Sequence, residues 1–308
     1  MHQKSKIFVT GHKGMVGNAI LQVFEDAGYR RLLTASHKEL DLEDRERVQE
    51  MFSLHKPEVV IMCAAKVGGI LANQDSPVDF YVKNARMQMN VMESAKECGA
   101  EKLLFLGSAC AYPKMAGCPV QESALLTGAL EPSNEMYALA KISGVKLCDA
   151  YRKQHGCNFI SAMPTNLYGR RDNYAPRDSH VIPGMIRKFH EAKLRGDSVL
   201  LWGSGKPDRE FLFAEDLARA CLKLLQEHNE PGPVNIGTQQ PVQLCALADA
   251  IAEVVGYTGT IFWDTTKPDG TPHRGLDSSK IFGLGWAPKV GLQEGLAIAY
   301  KDFLCQQH

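Results

Sequence analysis

No apolar run in this 308-residue sequence approaches the roughly 18 residues that a membrane-spanning helix needs. The opening segment, MHQKSKIFVTG, has no long apolar stretch and no small-residue cleavage site, so no secretory signal is expected. Charge of either sign is not in excess: 35 Lys and Arg balance 35 Asp and Glu. A neutral chain offers no electrostatic footprint for a nucleic acid or an anionic membrane, and neither is expected as a partner. Nine cysteines are scattered without a single C-x-x-C. That spacing holds no metal, and it points to reduced thiols in a cytoplasmic compartment. Most of these cysteines are read as core, where a free thiol packs as a small hydrophobe. Internal repeats, low-complexity tracts and flexible linkers are also missing.

What remains is an alternation of short apolar runs and amphipathic stretches. KIFVTG (6–11), RLLTAS (31–36), EVVIMCAA (58–65), KLLFLGS (102–108) and NFISAMPTN (158–166) read as strands. Helices are expected over 14–28, 42–55, 77–98 and 134–155. Near-continuous apolar strands separated by helices predict a parallel sheet covered on both faces, the doubly wound α/β (Rossmann-type) pattern. After Asn166 the pattern loosens into a polar, proline-bearing loop, followed by further helices and strands. The expected organisation is a Rossmann domain over 1–166 with parts of 199–240, and a smaller interleaved substrate-binding lobe over 167–198 and 241–308.

The segment TGHKGMVG places Gly11, Gly14 and Gly17 between the first strand and the first helix. Glycines there allow a tight turn and close approach to a pyrophosphate, and the helix N-terminus offers unpaired N–H groups. A dinucleotide site is expected. At the end of the second strand, ASHKELDL sets Ser36 and Lys38 ahead of the first acid, with Lys13 in the glycine loop. A hydroxyl donor and positive charge suit a 2′-phosphate, so NADP(H) is expected over NAD.

YALAK sets Tyr137 four residues before Lys141, on one face of a helix. A free phenol titrates near 10, and a neighbouring cation is expected to lower that value. Ser108 closes the fourth strand, where sites form in doubly wound sheets. Together these residues resemble the extended branch of the short-chain dehydrogenase/reductase superfamily, which acts on nucleotide sugars. Eight blocks sharpen the likeness: GHKGMVG, AAKVGGI, GSACAYPK, YALAK, MPTNLYG, SHVIP, WGSGKPDREF and KPDGTP. In this order, from Gly11 to about Trp286, they look like the signature blocks of the GDP-L-fucose synthase family, the GDP-4-keto-6-deoxy-mannose 3,5-epimerase/4-reductases.

The resemblance implies a GDP-linked 4-keto-6-deoxy sugar as substrate and NADPH as reductant. It places Ser108, Tyr137 and Lys141 in the reduction and an epimerising pair at Cys110 and His180. A C4 ketone acidifies C3 and C5, and inverting those centres needs an acid and a base on opposite faces. Histidine titrates near neutrality, and a thiol needs only a small shift to exchange protons there. The resemblance also implies cofactor contacts at Met15, Val16, Asp41, Leu42, Ala64, Pro164, Asn166, Leu167 and His180, beside Gly11, Lys13, Gly14, Gly17, Ser36, Lys38 and Lys141. It implies GDP-sugar contacts at Asn166, Lys188, Trp202, Arg209 and Asp269, and a homodimer through the long helices over 77–98 and 134–155.

Two positions depart from the family pattern: His37 stands near a common arginine, and His273–Arg274 replaces the usual arginine–lysine pair. Related enzymes act on GDP-heptose intermediates with similar blocks. A sugar 4-epimerase would need no Cys110–His180 pair, and a catalytically silent dinucleotide module would have no use for Ser108, Tyr137 and Lys141. If the chain stays extended past Ser108, two-residue spacing puts Ser108 and Cys110 on one side of it.

Overall fold

Alternate side chains of the apolar runs face opposite ways, and the sheet they form is buried on both faces. A computed structural model describes every residue except Arg177, Pro268, Gly270, Pro272 and His308. In chain order the first half runs β1 (Ile7–Thr10), α1 (Met15–Asp26), β2 (Leu32–Leu33), α2 (Arg45–His55), β3 (Val59–Met62), α3 (Ile70–Asp75), α4 (Pro77–Glu97), β4 (Lys102–Leu106), α5 (Glu135–His155) and β5 (Phe159–Pro164). The second half runs β6 (Asn166–Tyr168), α6 (Val181–Arg195), β7 (Val199–Trp202), β8 (Asp208–Arg209), β9 (Phe211–Phe213), α7 (Ala214–Glu227), β10 (Pro233–Ile236), β11 (Val242–Gln243), α8 (Leu244–Val255), β12 (Ile261–Asp264), α9 (Ser279–Gly283) and α10 (Leu292–Gln306).

Six strands make one sheet in the order β10-β5-β4-β3-β1-β2, and every pairing in it is parallel. On one face Ile7, Val9, Val59, Ile61, Leu104 and Ile160 pack with residues of α1 and α7. On the other, Phe8, Val60, Met62, Leu103 and Phe105 pack with residues of α2, α4 and α5. Each such side chain removed from water contributes roughly 1.5–3 kcal/mol, so covering both faces stabilises the sheet. A third apolar cluster lies under α6, α8 and α10, with Phe189, Leu247, Ile251, Leu296 and Phe303 at its centre.

The doubly wound expectation holds, with local differences. β2 keeps only Leu32 and Leu33, because Ala35 and Ser36 leave the sheet for a turn in which Glu39 N and Leu40 N donate to Ser36 O. The single strand expected over 158–166 is cut at Thr165, and Asn166–Tyr168 turns away to pair with β9. Within 199–240 the large sheet takes only Pro233–Ile236, whereas Val199–Trp202 pairs with β12.

Two buried charges tie distant elements together. Lys102 Nζ lies at the end of α7, within 3.0 Å of Leu224 O, Leu225 O, His228 O and Asn229 Oδ1. It caps that helix where carbonyls lack partners and the dipole is negative. Glu210 is fully buried beside β9. Its carboxylate accepts from Gln239 N (2.7 Å), Leu276 N (2.8 Å) and Thr238 Oγ1 (3.3 Å). Its carbonyl accepts from Thr165 Oγ1 and Asn166 Nδ2.

Candidate active site

The glycine loop is shaped as a cradle. Gly11 sits at φ 68°, and a Cβ there would meet the Ala64 backbone at 2.9 Å. A Cβ on Gly17 would come within 2.3 Å of Gly11 O, so α1 can start this close to β1 only with glycine. Thr10 Oγ1 accepts from Cys63 N (3.1 Å) and Ala64 N (3.0 Å), which draws the end of β3 against the loop. Gly14 caps α1 without a side-chain partner, leaving N–H groups of the first turn for an anion. Met15 and Val16 open the helix, half-buried, and Lys13 is exposed beside them. This geometry fits a pyrophosphate.

At the end of β2, the Ser36 amide and hydroxyl both donate to Glu39 Oε2, at 2.7 and 2.6 Å. These bonds hold the Glu39 carboxyl below its ordinary range, helped by the charges of Lys13 and His12. Glu39 closes the turn as a capping box does. The Ser36 hydroxyl, expected to face a 2′-phosphate, is therefore engaged within its own turn. Lys38 is exposed, Leu42 is buried, and Asp41 Oδ1 accepts from Glu43 N.

Past β4 the chain does not stay extended. Ser108 is extended (φ −166°, ψ 146°), but its Oγ accepts from Cys110 N and caps a 3-10 turn over Ala109–Ala111. The simple alternation that would set Ser108 and Cys110 on one side is thus overridden by a local side-chain cap. The two still converge on Tyr137. Burial raises the phenol's pKa well above its ordinary value, the Cys110 sulfur adds to that, and the nearby Ser108 hydroxyl opposes it. The expected lowering by Lys141 is absent. Lys141 Nζ donates to Leu106 O at 2.7 Å and stands 5.8 Å from the centre of the Tyr137 ring. Its own pKa falls to about 8 because the ammonium is buried.

His180 precedes α6 and retains an exposed surface, while partial burial lowers its imidazole pKa. No hydrogen bond joins it to Ser108, Cys110 or Tyr137 among the described residues. At the end of β7, Lys188 and Lys267 both lie over the exposed Trp202 ring, at 5.9 and 5.7 Å. Asp269 accepts from Ser204 N (2.8 Å) and Oγ (2.6 Å). Arg209 Nη1 donates to Asp208 O and Thr271 O, and its surroundings include Asp269, Arg274 and Cys110. One guanidinium thus lies within electrostatic range of both Asp269 and the Cys110 thiol. Asn166 spends its amide on Glu210 O. Pro164 is buried at the end of β5, and Leu167 is half-buried in β6.

The model of the NAD dependent epimerase/dehydratase family matches residues 7–237. The chain belongs to this family. Among curated relatives of this epimerase/dehydratase, GDP-L-fucose synthase 1 of Arabidopsis thaliana is 52% identical over 98% of this chain and 94% of its own length. GDP-L-fucose synthase of Escherichia coli is 44% identical over 99% of this chain and 98% of its own length. A solved GDP-mannoheptose C4 reductase from Campylobacter jejuni with NADP bound is 33% identical, with a TM-score of 0.91 over 99% of each chain. A GDP-L-fucose synthetase from Naegleria fowleri bound to NADP is 26% identical, with a TM-score of 0.92 over 100% of this chain and 96% of that one.

Several residues that build this site were not singled out from the sequence. Thr10 positions the glycine loop, Ser204 holds Asp269, and Lys267 shares the Trp202 face. Each lies inside or beside a signature block, and that adjacency was the available signal.

Proposed function

We propose that this chain converts GDP-4-keto-6-deoxy-D-mannose to GDP-L-fucose by 3,5-epimerisation followed by NADPH-dependent 4-reduction. The observation that carries the reading is that Ser108 and Cys110 both act on the Tyr137 phenol, in a chain whose β1–α1 loop is shaped for a dinucleotide. A reductase alone needs the hydroxyl, the phenol and the ammonium; the thiol adds a group for proton exchange.

Cys110 and His180 serve the two faces of the sugar ring. One takes the proton from the carbon beside the ketone, and the other returns a proton from the opposite side. The C–H electron pair passes into the C4 carbonyl as an enolate, whose oxygen accepts hydrogen bonds from Ser108 and Tyr137. NADPH, when bound, supplies the hydride to C4. Tyr137, kept protonated at neutral pH by its raised pKa, gives its proton to the C4 oxygen. Lys141, fixed by Leu106 O, presents its ammonium to the nicotinamide ribose and the phenol. Lys188, Trp202, Arg209 and Asp269 receive the GDP portion, with Arg209 suited to grip a diphosphate.

The division into a Rossmann domain (1–166 with parts of 199–240) and a substrate lobe follows from this assignment. Exposed Val78 and Met89 on α4 and Leu139 on α5 support a homodimer through those helices. The free thiols among the described residues support a reducing, cytoplasmic setting. Incubation with GDP-4-keto-6-deoxy-mannose and NADPH, followed by NMR of the sugar, should give the L-fuco product. A product with unchanged C3 and C5, or no oxidation of the cofactor, would overturn the reading; turnover only of a GDP-4-keto-heptose would shift it to that sugar.

A further inference from the structure

The turn that carries Cys110 is held from outside. Arg274 Nη2 donates to Ala109 O (3.1 Å) and to Tyr112 O (2.9 Å), the carbonyls on either side of Cys110 and Ala111. Ala109 and Tyr112 are buried, so these bonds are partly shielded from water. Arg274 is itself anchored. Its backbone N–H donates to Asp208 Oδ1 (3.2 Å), and the preceding His273 Nδ1 lies 2.6 Å from Asp208 Oδ2. Gly275 O accepts from Val120 N and Asp277 N donates to Val120 O, which pins the following residues along the same loop. Asp208 adjoins Arg209, and Arg209 lies within electrostatic range of both Arg274 and Cys110.

Nothing in the turn itself fixes it this firmly. Its internal bonds are those of a short 3-10 segment capped by Ser108, and such segments have poorer hydrogen-bond geometry than an α-helix. One nitrogen of a planar guanidinium reaching two carbonyls adds to the Ser108 cap, the core packing of Ala109, Ala111 and Tyr112, and the bond from the Tyr112 hydroxyl to Asn235 Oδ1.

We propose that Arg274 is a positioning residue for the epimerising half of the reaction: by spanning Ala109 O and Tyr112 O it fixes the turn that aims Cys110 Sγ, and through Asp208 it links that aim to the nucleotide-gripping face. The inference rests on the function proposed above. Proton abstraction from carbon requires Sγ near the C–H bond, and a misplacement of about 1 Å costs about a hundredfold in rate. Reduction depends on Tyr137 and Lys141, which sit on α5 and lack this support, so it should suffer less.

The test uses the full chain with NADP+, which fills the cofactor site and cannot reduce. Deuterium wash-in at C3 and C5 of GDP-4-keto-6-deoxy-mannose is followed by NMR in deuterated buffer. Arg274→Met should lower the kcat for wash-in by about thirtyfold to a hundredfold, with less than a threefold change in NADPH affinity. Arg274→Lys, which keeps the charge and can reach one carbonyl at a time, should recover wash-in to within about tenfold. Unchanged wash-in in Arg274→Met would overturn the inference, as would parallel loss of wash-in and NADPH affinity in both variants. Absence of wash-in from the unmodified chain would overturn the function reading as well, and separates the two failures.

Discussion

The buried ammonium of Lys141 gives this molecule a pH dependence that can be measured without substrate. Its folded pKa is about 8, below the ordinary lysine value, because burial penalises the charged form. Below pH 8 both folded and unfolded chains carry the proton, and the folded state bears the full desolvation penalty. Between pH 8 and the unfolded lysine value near 10.4 the folded chain binds fewer protons, so this penalty fades as pH rises. Lys141→Met should therefore raise the stability of the ligand-free protein at pH 7, by on the order of 2–3 kcal/mol, while abolishing reduction. The gain should shrink by pH 10.5 in thermal melts, and a gain independent of pH would contradict the assignment. At the same scale, Cys110→Ser should remove most solvent-proton exchange at C3 and C5, whereas Tyr137→Phe should chiefly remove reduction. Equal exchange in the two variants would contradict that division. The identities of these residues were legible in the sequence. The state of Tyr137 was not, because it depends on how deeply the phenol is buried and on where Lys141 Nζ points, toward Leu106 O.

Secondary structure elements were legible wherever local chemistry decides them. The alternating apolar runs of β1, β3, β4 and β5 and the glycine opening of α1 needed no tertiary information. The misjudged ends are those where a side chain or a distant strand intervenes. Ser36 and Glu39 end β2 early by closing a turn, β9 draws Asn166–Tyr168 away from β5, and Ser108 folds the next residues into a 3-10 turn. The junction of β1 and α1 is the least tolerant of these. In Gly17→Ala the added methyl meets Gly11 O and the His12 backbone, so α1 must move outward. The expected outcome is at least a tenfold loss of NADPH affinity in titration and a melting temperature several degrees lower, since overpacking costs about 1–3 kcal/mol. NADPH affinity equal to that of the unmodified chain would show that the cradle tolerates a Cβ.

Across the whole molecule, buried polar groups tie together segments that lie far apart in sequence. Glu210 is the clearest of them: one fully buried carboxylate receives N–H groups from two separate segments, and its carbonyl receives the side chains that follow β5. Removing it strands the buried Leu276 N–H, at a cost of about 1–3 kcal/mol, and releases the part-buried Gln239 N–H and Thr238 hydroxyl. Glu210→Ala should lower the melting temperature by many degrees and speed amide exchange at Gln239 and Leu276 ahead of the β3 and β4 amides. Uniform acceleration across the chain would instead indicate global destabilisation alone. Glu210 lies within the REF of a recognised block, yet its role was not legible, since a carboxylate in a motif usually faces a ligand.

The bond between Arg274 and Ala109 spans 165 positions of sequence. The glycine cradle, Tyr137 and Lys141 all lie before residue 142, whereas Arg274 comes near the end, so the clamp on Cys110 can close only once nearly the whole chain exists. Carbon deprotonation generates an enolate that must be reprotonated on the correct face. The aim of the thiol is thus completed by a residue made long after the turn that it steadies.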